Sequence, residues 1–451
     1  MMLILSRNAQ ILNTEGEITM EAMKYSDTVF SVSLAPEQVV AEVHANTVNL
    51  PERTVRQHVE YALDHPIGAG PIEEAVRPGE KIGILISDVT RRWQQPSTYL
   101  PVLIERLNRA GIPDRDILIL CATGTHRRQT EEEHISLVGE DLYRRIRFID
   151  HQCDDKEHLT YMGTSSRGTP VWLNSYAMAC DKLILTGGVV YHFLAGYGGG
   201  RKSIVPGIAG RETINTNHNN ALNKGLGSGS NPRVCNGNMG ADNPFHSDLV
   251  ECASFAKPAY LLNVIVNDDY QIVGAFAGDW QKAHAAAAQV VEQLDGVAIP
   301  RRTPLVVASA GGFPKDINLY QTSKTLANAL AATAPGGTMI LLSQCREGFG
   351  DPDCEAQICN YTSMEEREKA LRADFSIGGF VGFLFAETAE HYHLILVTDL
   401  SGERFVNTRI QIARTLDEAL ALAAQHNGGS LAGVETTLMP HGGSTFPLPQ
   451  A

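Results

Sequence analysis

At 451 residues the chain exceeds the roughly 100–200 residues of a usual domain, so two domains are expected. A hydrophobic content of 43% with 20% charged residues excludes a disordered or fibrous chain, and the net charge of −14 argues against a nucleic-acid-binding surface while leaving small anionic ligands open. No segment approaches the roughly 20 apolar residues of a membrane span. The eight cysteines form no CxxC pair, which excludes a zinc ribbon or dithiol motif and suits small buried residues. The start, MMLILSRNAQ, breaks its apolar run too early for a secretory signal, and a cytoplasmic protein is expected.

Residues 1 to about 80 carry little periodic signal and read as an opening segment. From Lys81 the pattern is regular: KIGILISD as a strand, a turn at Pro96, STYLPVLIERLNRAG as an amphipathic helix ending in Gly111, then the strands DILILCA, IRFID and KLILT. Alternating strands and helices predict a mostly parallel sheet covered on both faces. Asn215 to Phe245, rich in Asn and Gly, reads as an ordered excursion or a flexible lid. The helix QKAHAAAAQVVEQLDG ends at Gly296, and the prolines and arginines of VAIPRRTP place a domain boundary near residue 299. Beyond it come TPLVVAS, a helix from Ser323 to Thr333, TMILLSQC, HLILVTDL and a late helix that Thr415 and Glu418 can open as a capping box. The strand TTLMPHGG fits either domain. The expected fold is therefore α/β, two α/β domains (1–298 and 299–451) with mostly parallel sheets and the active site in the cleft between them.

Chemistry gathers at the strand ends. KIGILI leads to Asp88 and Arg91, DILILCA to His126, KLILT to His192, and PLVVAS to Lys315 and Asp316. Ligands of α/β sheets bind at those carboxyl edges. Two histidines on separate strands of one sheet suit an acid/base pair, although a lone histidine there is more often structural. After His192 comes a loop with Gly196, Gly198, Gly199, Gly200, Arg201 and Lys202. Its amides and cations suit a phosphate or other anion, and it matches neither the P-loop nor the dinucleotide fingerprint. A glycine-rich surface loop with solvated charges is the plainer alternative.

Four separated motifs carry a resemblance: GTHR at 124–127, HFLAGYGGGRKSIVPG at 192–207, NHNNAL at 217–222 and NLYQTSK at 318–324. In order and spacing, from about Ile84 to Lys324, the chain resembles the nickel-dependent lactate racemase family, nickel-pincer-nucleotide racemases and epimerases of 2-hydroxy acids. The resemblance implies an isomerase inverting C2 of a 2-hydroxy acid by reversible hydride transfer to a covalently bound nickel-pincer nucleotide, pyridinium-3-thioamide-5-thiocarboxylic acid mononucleotide with Ni(II). It implies Lys202 as the covalent attachment, His218 as the nickel ligand, and His126 and His192 as acid/base residues. Arg91, Gln321 and Lys324 correspond to substrate-carboxylate contacts. Asp88, Gly198, Gly199, Gly200 and Arg201 correspond to the cofactor's surroundings.

One imidazole beside soft sulfur and carbon donors suits planar nickel(II), which accounts for a chain with no metal-ligand cluster of its own. The hydride route avoids a carbanion beside a carboxylate, and a planar keto acid can take hydride back on its other face. Partners implied are a small 2-hydroxy acid and cofactor-biosynthesis proteins. Gly198 departs from the family's usual serine, and the polar stretch after NHNNAL is long. Lactate, malate, 2-hydroxyglutarate, an aryl lactate and a sugar acid all remain as substrates. A hydroxyacid-binding homologue without catalysis, or an α/β enzyme using an ordinary nucleotide, remain the alternatives.

Overall fold

The computed structural model describes residues 7–8, 19–267 and 269–450, and the apolar start read for a signal lies largely outside them. The described chain forms two compact units. One comprises Val48–Ala221 and Arg233–Glu292, and the other gathers the described residues up to Thr47 with Leu222–Pro232 and the chain from Gln293 onward.

The sheet of the first unit runs in the order Ile272–Gly278, Tyr260–Val266, Lys182–Gly188, Ile82–Ser87, Ile117–Ala122, Arg147–Asp150. All neighbours are parallel except the pair 260–266 with 272–278. That antiparallel pair extends the sheet beyond the four strands expected from sequence. Ile82, Ile84 and Ile86 join Ile117, Ile119 and Ile184 in one core with Leu100, Leu103 and Leu107 of the helix Pro96–Arg109. The alternate residues Leu85, Leu120 and Leu185 are equally buried, so both faces are covered. Continuous apolar runs are what a doubly covered parallel sheet requires, and each such side chain contributes about 2 kcal/mol.

From the central strand 82–87 the chain first moves to one side, through 117–122 and 147–150, and then returns on the other through 182–188. The order reverses between 82–87 and 182–188, and the crevice outside their carboxyl ends is where open α/β sheets take ligands.

The second unit holds a six-stranded sheet, all parallel, in the order Gln411–Ala413, His393–Val397, Thr333–Leu342, Thr303–Ser309, Thr436–Met439, Val39–Glu42. Its edge strand comes from the opening segment. So does a hairpin, Thr19–Tyr25 against Thr28–Leu34, whose Met23, Phe30, Val32 and Leu34 pack on Leu305, Val307, Ile340 and Leu342. TVFSVSL does alternate with period two, but over too few residues to stand out. The strand of TTLMPHGG belongs to this sheet.

The helix expected from Ser323 begins at Leu319, because Asn318 caps it by accepting from Gln321 N at 2.9 Å. In the late helix Leu416–His426, Thr415 accepts from Glu418 N at 3.2 Å, while Glu418 reaches Arg414 N, one residue before the cap.

Part of the polar excursion is docked within this second unit. Gly227 N and Gly229 N donate to Glu368 Oε2 at 3.0 and 3.3 Å, Ser230 N donates to Glu387 Oε1 at 2.8 Å, and Arg372 Nη2 donates to Asn223 O at 2.7 Å. Backbone N–H groups held by carboxylates make this segment an ordered one. No described helix is long and apolar enough to cross a membrane.

Candidate active site

Asp88 follows the central strand and is fully buried. It caps the short turn Val89–Gln94, with Oδ1 accepting from Thr90 N at 3.1 Å and Thr90 Oγ1 at 2.5 Å. Oδ2 accepts from His126 Nδ1–H. Burial opposes the charge on Asp88, but the His126 bond and the Arg91 cation outweigh it and hold the carboxyl below its usual range. Arg91, with Nη1 3.5 Å from Asp88 Oδ1, leaves its side chain 44% exposed. The strand 117–122 delivers His126 through a turn closed by His126 N on Thr123 O at 2.9 Å. His126 thus presents Nε2 away from a buried carboxylate, the arrangement of an oriented general base.

The strand 182–188 delivers the second group. His192 lies on a small hairpin, Tyr191–His192 against Gly196–Tyr197. Its Nδ1 receives Leu194 N at 3.1 Å and Ala195 N at 3.2 Å, and Lys202 Nζ lies 2.5 Å from its Nε2. Burial, then the nearby Lys202, Arg91 and Arg201, push the His192 pKa well below its usual value; burial, then Arg91 and Arg201, do the same to Lys202. A lysine held neutral is a nucleophile.

Lys202 sits in the turn Gly200–Ser203 after the glycines. Here the structure departs from the simple phosphate cradle. Gly198 N donates to Val190 O at 2.8 Å and Gly200 N to Asn263 Oδ1, on the strand Tyr260–Val266, at 3.0 Å, so both amides are used within the protein. Gly200 has φ +54° and a Cβ there would stand 2.7 Å from the His284 ring; at Gly198 a Cβ meets Val190 at an ordinary 3.6 Å. Gly198→Ser is therefore expected to leave stability within about 0.5 kcal/mol. Gly200→Ala is expected to cost at least about 2 kcal/mol from backbone strain and collision. Chemical denaturation of the two variants checks the difference, and equal midpoints would contradict it.

Arg201 is buried, at 2% exposure. Its Nη2 donates to Ala195 O at 2.6 Å and His246 Nδ1 at 3.0 Å, and Nη1 lies 2.8 Å from His284 Nε2. No carboxylate among the described residues reaches it, its Nε has no partner, and burial lowers its pKa to about 9.

His218 ends the helix Arg211–His218. Its Nδ1–H donates to Ile214 O at 2.7 Å, which leaves the ring's lone pair on Nε2, and burial, then Lys202, lower its pKa to about 3. The neighbouring Asn217 donates to Asp248 Oδ2 at 2.8 Å, and the buried Asp248 also accepts from Ser165 and Thr169 at 2.6 and 2.8 Å. Asp248 thereby ties the His218 helix to the helix Pro244–Ser254. Asn243, Asp248, Asn263, His246 and His284 escape sequence reading, because single Asn, Asp and His residues carry no spacing signal. The exception is Asn243-Pro244, which is a helix-start signal and does cap that helix.

Asp88, Arg91, His126, His192, Lys202 and His218 all belong to the first unit. Gln321 and Lys324 lie one turn apart on the helix Leu319–Ala332 of the second, where Lys324 Nζ donates to Gln321 Oε1 at 3.0 Å. A separate group in the second unit, Glu21, Glu42 and His44, sets its ligand atoms within 4.8 Å of one another and contains none of the predicted residues.

Burial holds His151 neutral, with a pKa near 4, and pushes that of His284 well below its usual value. In the unfolded chain both take up protons near pH 6.5. Their contribution is present above that pH and is lost as the pH falls toward 4, by about 1.4 kcal/mol per pH unit for each proton taken up. The urea midpoint of the unloaded protein is expected to drop steeply between pH 7 and 5, and a flat midpoint there would contradict neutral burial.

A carboxylate-backed histidine and a lysine-backed histidine follow strands of the parallel sheet in an α/β fold. Residues 25–229 match the lactate racemase N-terminal domain and residues 300–446 the lactate racemase C-terminal domain. The chain is 34% identical to the lactate racemase of Lactiplantibacillus plantarum over 86% of its own length and 89% of that protein. It is 31% identical to that of Thermoanaerobacterium thermosaccharolyticum over 83% and 86%. The structure of the lactate racemase apoprotein from Thermoanaerobacterium thermosaccharolyticum superposes with a TM-score of 0.85 at 28% identity, covering 95% of this chain and all of that one. A Thermotoga maritima protein shares the fold at TM-score 0.63 and 18% identity. The chain belongs to the lactate racemase family and is an isomerase.

Proposed function

We propose that this enzyme inverts C2 of a 2-hydroxy acid, lactate first among the candidates because the relatives are lactate racemases. The observation that carries the reading is a chain of neighbours within one unit: Arg91, 3.5 Å from Asp88, acts electrostatically on His192 and Lys202, and Lys202 acts on His218. The donor set fits the nickel-pincer nucleotide. The His218 Nε2 lone pair suits nickel(II), and the neutral Lys202 amine suits a thioamide linkage. When bound, that group supplies a reversible hydride acceptor.

The chain's residues supply the rest. Lys202 holds the nucleotide and His218 the metal; Asp88, Arg201 and the glycines Gly198 to Gly200 shape the surroundings. Arg91, Gln321 and Lys324 are the groups assigned to the substrate carboxylate. His126 takes the hydroxyl proton on Nε2, and Asp88 stabilises the resulting imidazolium. His192 is the second acid/base group, serving the oxygen on the other side. Protein from cells that make the cofactor is expected to bring either D- or L-lactate toward an equal mixture, read by chiral chromatography. Failure with lactate and with the other 2-hydroxy acids would overturn the reading.

A further inference from the structure

The two histidines of the proposed pair are held by opposite hydrogen-bond logic. At His126 the Nδ1 partner is the Asp88 carboxylate, which can only accept, so Nδ1 carries the proton and Nε2 the lone pair. At His192 the Nδ1 partners are the N–H groups of Leu194 and Ala195, which can only donate. Nδ1 there must be the bare nitrogen, and the proton of the neutral ring sits on Nε2. Lys202 Nζ, 2.5 Å away, then accepts that proton in a hydrogen bond and must itself be an unprotonated amine. The depressed Lys202 and His192 pKa values agree.

One of the two donating peptide units is held directly: Asn243 Nδ2 donates at 3.0 Å to Leu194 O, the carbonyl of the unit whose N–H is that of Ala195, while Arg201 Nη2 donates at 2.6 Å to Ala195 O, in the next unit along the chain. Both side chains are buried, and neither touches His192 directly in these bonds. Arg201 is fixed in turn by His246 and by the His284 ring, which itself sits 2.7 Å from Gly198 O. A guanidinium buried without a counter-ion is costly. Here it anchors the carbonyl of Ala195, the residue whose own N–H is one of the two donors to His192.

We infer that His126 and His192 rest in opposite neutral tautomers, and that Arg201 and Asn243 are positioning residues that impose the one on His192. The inference deepens the proposed function and rests on it for its catalytic meaning. At rest His126 offers the Nε2 lone pair of a base and His192 an Nε2–H, so the two members of the proposed acid/base pair start with Nε2 in different states. The pair is therefore asymmetric although the overall reaction is not.

The test reads the ring nitrogens directly by two-bond proton–nitrogen correlation NMR on the unloaded, 15N-histidine-labelled full chain, with the signals assigned by their loss in His192→Gln and His126→Gln. The inference predicts a bare Nδ1 and protonated Nε2 for His192, and the reverse for His126, at neutral pH. The same tautomer at both residues, or a protonated Nδ1 at His192, would overturn it. Arg201→Lys is expected to convert the single His192 tautomer into an averaged mixture while the His126 signals stay in place. Asn243→Ser keeps the helix cap but loses the amide donor, and is expected to shift His192 in the same direction. A folded variant of either kind with an unchanged His192 pattern would remove that residue from the positioning role. Because the unloaded protein is measured, loss of the tautomer asymmetry and failure to racemise any hydroxy acid are separate results.

Discussion

Replacing Lys202 with alanine is expected to bring stereoinversion down to the uncatalysed rate, a loss of at least about a million-fold. On the proposed route the acid/base groups would handle only the hydroxyl proton and could not replace a hydride acceptor. The change removes the amine's bond to His192 Nε2, while the backbone bonds of Lys202 to Gly199 and Gly207 survive, so the variant is expected to fold. The peptide containing position 202 should have its unmodified mass. His218→Ala separates the two attachments: the adduct on Lys202 should persist while nickel is weakened or lost, seen by elemental analysis. A K202A protein that still inverts a 2-hydroxy acid would remove the covalent cofactor from the account.

His126→Ala and His192→Ala are each expected to lower the rate in both directions by at least about 100-fold, the lower end of what a positioned proton donor or acceptor contributes. Loss of His126 leaves Asp88 buried without its main proton-bearing partner, so part of the damage is electrostatic; His126→Gln keeps a donor to Asp88 but removes the base and should be no better. Loss of His192 removes the second proposed acid/base group, and His192→Gln, whose amide cannot exchange a proton, should be no better. Rates measured separately from D- and L-lactate check both expectations. Near-native rates in either direction for either alanine variant would show that the pair is misassigned.

The first unit was legible from the sequence because its strands are short continuous apolar runs, each ending in polar residues, and a buried parallel sheet admits few other readings. KIGILIS, DILILCA and KLILT therefore predict both the sheet and which edge carries Asp88, His126 and His192. The second unit's debt to the opening segment was illegible: Val39–Glu42 is only four residues long, half-buried to exposed, and pairs with a strand about 400 residues later in the chain. Long-range pairing leaves no periodic mark on the local sequence. The glycine loop was legible as a functional feature for a partly different reason than the one that holds. Gly200 is required because its backbone angle and the His284 ring exclude a side chain, and its amide serves Asn263, not an anion. Arg201 reads as one of two loop cations, yet its guanidinium is buried against the chain's own carbonyl and histidines. Sequence shows that a charge exists; only packing shows which way it turns.

The most direct test of the central claim is the mass of the Lys202 peptide together with the nickel content of the protein, purified from a host that makes the cofactor and is shown to invert lactate or another 2-hydroxy acid. The account predicts an added pyridinium dithio-mononucleotide on Lys202 and nickel bound with it. An active preparation with Lys202 at its unmodified mass and no nickel would contradict it.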